Sequence, residues 1–429
     1  MSLLIFLLSI FSLSCHAVEK KHPSTYYVSC DGNDNLDGLT PATAWKTISR
    51  VNKMQRYHAG DRILFRRGDL WKENISLSPK GDGNRNARIT IGAWGNGEKP
   101  RIIVTGKDKD AVVLCGQSFW SIEDIFVSSA EGSGIAVNSK AGTTIEGISI
   151  SRVEAYDCSP HYGQREFGHC GIRIGHHNKS PLLQKNSRFV NILLDQCVAN
   201  NCATGIMVAG KKFHTDEADI SKVSHDVLIE NCIARNLRGD GIIVFSFVNA
   251  VIRNCLCYNS CTYSIDDQCT AAIWTWNVKN GLVRGCESYG HVTPGCDRNP
   301  FDSDYNSTNV VFEDNFGHDS YGSAILMCAP GNSNDSTEFR NNKFRNCGYK
   351  NSRQPGFIWF YDCDKPQQRS IRNNQFVCQP ISKYGSTSMR KSWCTIENNV
   401  FIAQNDDFKP SCQLGWEPEN NTFTFDNNT

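Results

Sequence analysis

The sequence has almost no net charge. Its 429 residues carry 45 basic and 44 acidic side chains, which excludes a basic footprint for wrapping nucleic acid and a cationic face for an anionic membrane. Long apolar runs are missing apart from one at the N-terminus, and no stretch sustains a helical period, so neither a transmembrane bundle nor a helical fold is expected. Zinc-finger spacing is missing too. Among 20 cysteines no Cys-x-x-Cys pair is followed by a second at the required distance, so no structural metal site is expected.

The one apolar run, Leu3 to Leu13, is followed by Ser14, Cys15, His16 and Ala17 and then by Val18-Glu-Lys-Lys21. This pattern predicts a signal peptide over residues 1–17 and a secreted, extracellular or periplasmic protein. Read instead as a lipoprotein signal at Cys15, with Ser12 three positions before it, the same segment would leave a lipid anchor as the sole membrane attachment.

What is present is a repeat. The segments Ile192-Leu-Leu-Asp-Gln-Cys197, Val227-Leu-Ile-Glu-Asn-Cys232, Val251-Ile-Arg-Asn-Cys255 and Leu282-Val-Arg-Gly-Cys286 share one pattern with Val310-Val-Phe-Glu-Asp-Asn315, Glu338-Phe-Arg-Asn-Asn342, Ser370-Ile-Arg-Asn-Asn374 and Thr395-Ile-Glu-Asn-Asn399. Each is a short alternating strand, a tight polar turn ending in Cys or Asn, and a second short strand. A third strand follows in most copies, as in Gly171-Ile-Arg-Ile174, Gly205-Ile-Met-Val208, Gly241-Ile-Ile-Val244, Ala272-Ile-Trp-Thr-Trp276, Phe301-Asp-Ser-Asp304, Ala324-Ile-Leu-Met327 and Phe357-Ile-Trp-Phe-Tyr361. Three strands in roughly 25–30 residues predict one coil of a right-handed parallel β-helix; a propeller blade needs four strands and about 40 residues.

The Asn row should stack at about 4.8 Å, with each Asn taking the left-handed bend and bonding its neighbour through its amide. The cysteines of the same row should be buried packing thiols, because parallel side chains at that spacing disfavour a disulfide torsion. Thr40-Pro41, followed by Trp45, Ile48, Val51 and Met54 on one face, predicts a capping helix. The expected layout is therefore an opening strand and capping helix over 18–60 and an all-β parallel β-helix over 61–429.

With these residues in hand, the chain resembles the secreted parallel β-helix proteins of the pectin-lyase-like superfamily. The segments carrying the resemblance are Tyr26-Tyr-Val-Ser-Cys-Asp-Gly-Asn-Asp-Asn-Leu-Asp-Gly38, Ala44-Trp-Lys-Thr-Ile48, Gly60-Asp-Arg-Ile-Leu-Phe65-Arg-Arg-Gly68, Phe301-Asp-Ser-Asp304-Tyr-Asn-Ser and Gly317-His-Asp-Ser-Tyr-Gly322. The resemblance implies the fold and carbohydrate chemistry without naming a reaction. The Asn-Thr-Asp, Gly-His-Gly and Arg-Ile-Lys series of polygalacturonases is absent, and so is the Asp-Pro-His-Asp signature of alginate epimerases.

Alternation on the third strands places Arg173, Met207, Ile243, Trp274, Asp302 and Leu326 outward, with Trp276 and Asp304 one step on. A register slip of one residue would bury two carboxylates in the core, at several kcal/mol each. Asp302 and Asp304 are therefore the leading catalytic candidates, as acid and base or nucleophile, with Asp267 and His318 as further ones. Trp274, Trp276, Trp359 and Tyr361 would stack on sugar faces, and Arg173 and Arg298 would bind substrate. Calcium ligation or plain solvation are the other readings of the acidic pair. His161, Arg165, Glu166, His169, His176 and His177, with Lys211, Lys212 and His214, form a titratable wall that could hold a lyase base.

The expected function is an extracellular glycoside hydrolase acting as a monomer on a polysaccharide or oligosaccharide, with no cofactor. The alternatives are a uronate-directed polysaccharide lyase, with Ca2+ as cofactor, and a non-catalytic glycan-binding protein.

Overall fold

The computed structural model describes residues 22–161, 169–175, 186–214, 219–262, 269–328, 336–348, 357–361, 368–378, 394–403 and 420–425. The chain is a parallel β-helix. Successive coils contribute to two 13-stranded sheets and a 9-stranded sheet. The strand Thr25–Val28 pairs in parallel with Arg62–Arg66, so the opening strand is itself the edge of the first sheet.

Alternation places the core. In the strand Arg188–Asp195, Ile192 and Leu194 are buried and Leu193 is only half-buried. One continuous apolar cluster runs from Tyr26 to Phe401 through the inside of successive coils. This growth along one axis lets a long chain keep a single core.

The turn between the first and second sheets corrects one expectation. The left-handed bend and the stacked amide fall on adjacent residues, not on the same one. Gln196, Asn231, Asn254, Asp314, Asn341, Asn373 and Asn398 have φ between 52° and 58°, and Gly285 takes the same position at 62°. The next residue in each copy points inward. There Asn315, Asn342, Asn374, Asn399 and Asn421 form an amide ladder, the Nδ2 of each of the first four donating to the following Oδ1 at 2.9–3.0 Å. The same Nδ2 also donates to a strand carbonyl, as Asn342 does to Phe312 O at 2.9 Å.

Cys197, Cys232, Cys255 and Cys286 continue this row, buried and free, with Cys286 N donating to Asn315 Oδ1 at 2.9 Å. The Cys232 thiol and then burial raise the Cys197 pKa well above the ordinary cysteine value; at Cys255 the Cys232 thiol acts to lower it, and the Cys286 thiol and burial outweigh that and raise it. Among the described residues 14 cysteines are free. One disulfide joins Cys269 and Cys296, which face each other in register on a separate two-stranded pair. The cysteines of the turn row are thus free and buried, as the sequence predicts, and the bonded pair lies off that packed inner row, in loop strands.

The single capping helix is also corrected. Thr40 caps a short 3-10 turn, Pro41–Thr43, and a separate six-residue helix, Ile48–Lys53, is capped by Thr47. Trp45 lies between them in an extended bridge to Val28, because its ring is fixed from several sides. It is 1% exposed, stacks on Tyr26 at 4.9 Å and donates Nε1 to Leu36 O at 3.0 Å. Gly38 has φ +75°, and a Cβ there would meet the indole at 2.5 Å.

Candidate active site

The third sheet fixes the site. Its register aligns Arg173, Met207, Ile243, Trp274, Asp302, Leu326 and Trp359 across seven consecutive coils. Their alternates Ile174, Val208, Val244 and Met327 belong to the main core, whereas Met207, Ile243 and Trp274 form a separate cluster with Cys170 and Ala271. The aligned row therefore faces out of the coil, as expected. The exposure assumed with it is corrected. Asp302 is only 3% exposed, because outward on this sheet means covered by other parts of the chain.

Asp302 is the electrostatic centre of the site. Burial first, then the charges of Asp304, Asp297 and Asp240, raise its pKa well above the ordinary aspartate value, which favours its protonated form. Its Oδ1 is buried without a hydrogen-bond partner. Asp304 lies just past the strand end. Its N–H donates to Thr275 O at 2.9 Å, and its half-buried carboxylate accepts from Tyr305 N at 3.0 Å. Asp297 and Asp240 were not singled out in the sequence. Asp297 precedes Arg298 in a loop where both have φ +66°, and Asp240 sits in a turn two coils earlier. The signal available was Asp297 five residues before Asp302 in one loop-strand unit.

The aromatic wall is next to the acids. Phe245 meets Trp274 at 4.9 Å and Trp276 at 5.7 Å, both edge-on. Lys212 Nζ stands 5.3 Å over the Trp276 ring. Its loop is held there by Asn277, which exchanges bonds with the Phe213 backbone at 3.0 and 2.8 Å. Trp359 is half-buried, with its Nε1 buried and unpartnered, and Tyr361 is 48% exposed further along the same strand.

The remaining candidates lie elsewhere or are occupied. His318 is corrected. It stands in the strand Phe316–Ser320 of the second sheet, and Asp302 belongs to the third. A turn between the two sheets sends them to different faces. The His318 ring stacks on Tyr289 at 4.6 Å and Phe316 at 4.5 Å, and it bonds Asp319 at 2.7 Å and Glu287 at 3.1 Å. Arg298 is fully buried, its guanidinium bound to Thr270 Oγ1, Cys296 O and Pro294 O. Arg173 pairs with Asp110 at 3.2 Å and donates to Asn138 and Gly175 at 2.7 and 2.6 Å. Both buried arginines thus brace the loops.

Asp267, with Arg165, Glu166, His176 and His177 of the titratable wall, lies outside the described residues, as does the segment 1–17. His161, Lys211 and His214 are exposed and His169 is half-buried. His291, unremarked in the sequence, is buried between Ser260 and Ser288 at 2.8 and 2.9 Å. Burial pushes its pKa down to about 3, so it is a neutral spacer. Among the described residues one group of potential metal ligands gathers within 4.8 Å: Cys269, Cys296 and Asp297. Two of these are joined in the disulfide.

No family model matches the sequence, and no curated protein does. Among solved structures the fold is similar to a GH136 lacto-N-biosidase from Eubacterium ramulus. The native form gives a TM-score of 0.68 at 19% identity over 94% of this chain and 68% of that one. The selenomethionine derivative gives 0.67 at 20% identity over 88% and 67%. It is also similar to the catalytic domain of a GH87 alpha-1,3-glucanase, with a TM-score of 0.50 at 12% identity over 86% of this chain and 61% of that one. These likenesses carry the fold alone, a parallel β-helix. No described helix is long and apolar enough to cross a membrane.

Proposed function

We propose that the protein is an exported glycoside hydrolase that cleaves a neutral glycan at the acidic cluster on the outer face of the third sheet. The observation that carries this reading is Asp302, buried and under the charges of Asp304, Asp297 and Asp240. Glycosidic cleavage needs one carboxyl that still holds a proton and a second that is ionised. Asp302 is the proton holder. Half-buried Asp304 and Asp297 are the ionised partners a sugar can reach. Trp276, with Phe245 and Trp274 behind it, supplies the apolar wall against which the sugar ring stacks.

Charge favours hydrolysis over elimination. A lyase must bind a uronate carboxylate and neutralise it, and here the acidic cluster would repel it. Arg173 and Arg298 are engaged elsewhere, and Lys212 stands over the Trp276 ring, not over the acids. The two similar solved structures carry the names of a lacto-N-biosidase and a glucanase, which supports the same reading. No cofactor is needed for it, and it places the protein outside the cytoplasm, acting as a monomer.

The test is to incubate purified protein with panels of neutral and uronic oligosaccharides, following reducing ends and ultraviolet absorbance together, with and without chelator. Saturated products, unaffected by chelator and lost in Asp302→Asn, are expected. Unsaturated products absorbing in the ultraviolet would establish the lyase instead. No cleavage, with retained glycan binding, would establish a binding protein.

A further inference from the structure

Asp240 lies in the turn between the strands Ile233–Arg235 and Ile242–Phe245, one coil before Trp274. It is 0% exposed. Its Oδ1 accepts two hydrogen bonds, from Trp274 Nε1 at 3.1 Å and from Ala271 N at 3.0 Å. A buried indole N–H needs an acceptor, but a neutral amide or hydroxyl would satisfy it at far lower desolvation cost than a carboxylate. The chain places a carboxyl group there, in a neighbourhood that already contains Asp297, Asp302 and Asp304.

We propose that Asp240 is a positioning residue of the acidic site: it fixes the Trp274 indole as part of the wall that receives the sugar, and its negative charge bears on the Asp302 carboxyl. The inference deepens the hydrolase reading and rests on it. The indole is set from two directions, at Nε1 by Asp240 and on its ring by Phe245 at 4.9 Å and 69°. It is 8% exposed, so little of it is free to swing.

The groups facing Asp302 are Asp304, Asp297 and Asp240, and each raises its proton affinity. Around Asp240 itself stand the thiols of Cys170, Cys257 and Cys261, whose pKa values it also raises, and near Cys261 the Arg298 guanidinium, which acts in the opposite sense. Removing the Asp240 charge therefore lowers the pKa of Asp302. An acid that must be protonated to work then fails at a lower pH, so the alkaline limb of the activity profile moves down.

Two substitutions separate the two roles. Asp240→Asn keeps an oxygen for Trp274 Nε1 and Ala271 N and removes the charge. Asp240→Ala removes both. The direct measurements are a carbon-13 NMR titration of the Asp302 carboxyl, assigned with Asp302→Asn, and the nitrogen-15 indole resonance of Trp274, assigned with Trp274→Phe.

In Asp240→Asn the Asp302 midpoint is expected to fall and the alkaline limb of kcat to follow it, with the indole resonance and KM held. In Asp240→Ala the indole resonance is also expected to move, and KM to rise about three- to tenfold for a lost aromatic contact. An unmoved Asp302 midpoint in Asp240→Asn, or an indole resonance unmoved in Asp240→Ala, overturns the proposal. If Asp240→Ala does not fold, the Asp240→Asn titration still decides the charge role. Should both NMR effects appear while Asp302→Asn keeps full activity, the hydrolase reading falls and the placement of Asp240 stands.

Discussion

At the turn between the first and second sheets, Asn342, Asn374 and Asn399 stack in register, and each amide donates to the next oxygen at 2.9–3.0 Å. On the outer face of the third sheet, Asp302 is as deeply buried, yet its Oδ1 has no partner and its neighbours are carboxylates. Both regions bury polar side chains at strand spacing. An amide is donor and acceptor at once, so a repeated row of amides closes into a chain of bonds. A carboxylate only accepts, so neighbouring acids repel until one of them keeps a proton. The first arrangement stabilises the solenoid, and the second favours a proton on Asp302.

The largest effect is expected from removing the acids. Asp302→Asn, Asp304→Asn and Asp297→Asn should each reduce turnover by about 10²–10⁴-fold, the range for a lost acid–base group, with folding intact by circular dichroism. Near-parent activity in all three would move the site elsewhere.

The acidic face also sets a pH dependence. Because the folded pKa of Asp302 is raised, the folded state binds more protons than the unfolded chain above the ordinary aspartate range. Its contribution is fully present at low pH and is lost as pH rises toward the raised value. Asp302→Asn should flatten that part of the stability–pH curve, and a curve identical to the parent's would contradict a protonated Asp302.

Asn374→Asp carries the logic of one region into the other, setting an acceptor-only group against Asn399 Oδ1 and Phe339 O. A cost of about 3–5 kcal/mol is expected from denaturant unfolding, as for other uncompensated buried charges. A variant as stable as the parent would mean that the ladder bonds are dispensable.

Trp45→Ala should cost about 3 kcal/mol by the same measurement, the lower end for a truncated buried aromatic. An unchanged transition would show that the first coils are closed without the indole.

The smallest effect belongs to the thiols. Cys255→Ala removes one atom from a row that makes only weak sulfur contacts, such as Sγ to Ile229 O at 3.7 Å, and should cost about 1 kcal/mol. Thiol titration of the denatured, unreduced protein should find at least the 14 free cysteines, and fewer would mean that rows taken as packing are cross-linked.

Periodicity alone determined the coil, the three sheets and which side chain of each strand faces in, because a two-residue alternation repeated coil after coil has one solution that buries Ile192, Val227 and Phe312 together. It also determined the amide ladder and the outward row of Trp274 and Asp302. Local pattern could not determine how far the outward row is covered, since that depends on loops whose paths have no period. For that reason Asp302 was expected at the surface and lies buried, and His318, close to it in sequence, faces another side of the solenoid. Asp240 and Asp297 joined the site only through the tertiary structure. Each sits in a turn with no repeat of its own; the coil pitch brings Asp240 to Asp302, and the loop path sets Asp297, five residues before Asp302, against the same carboxyl.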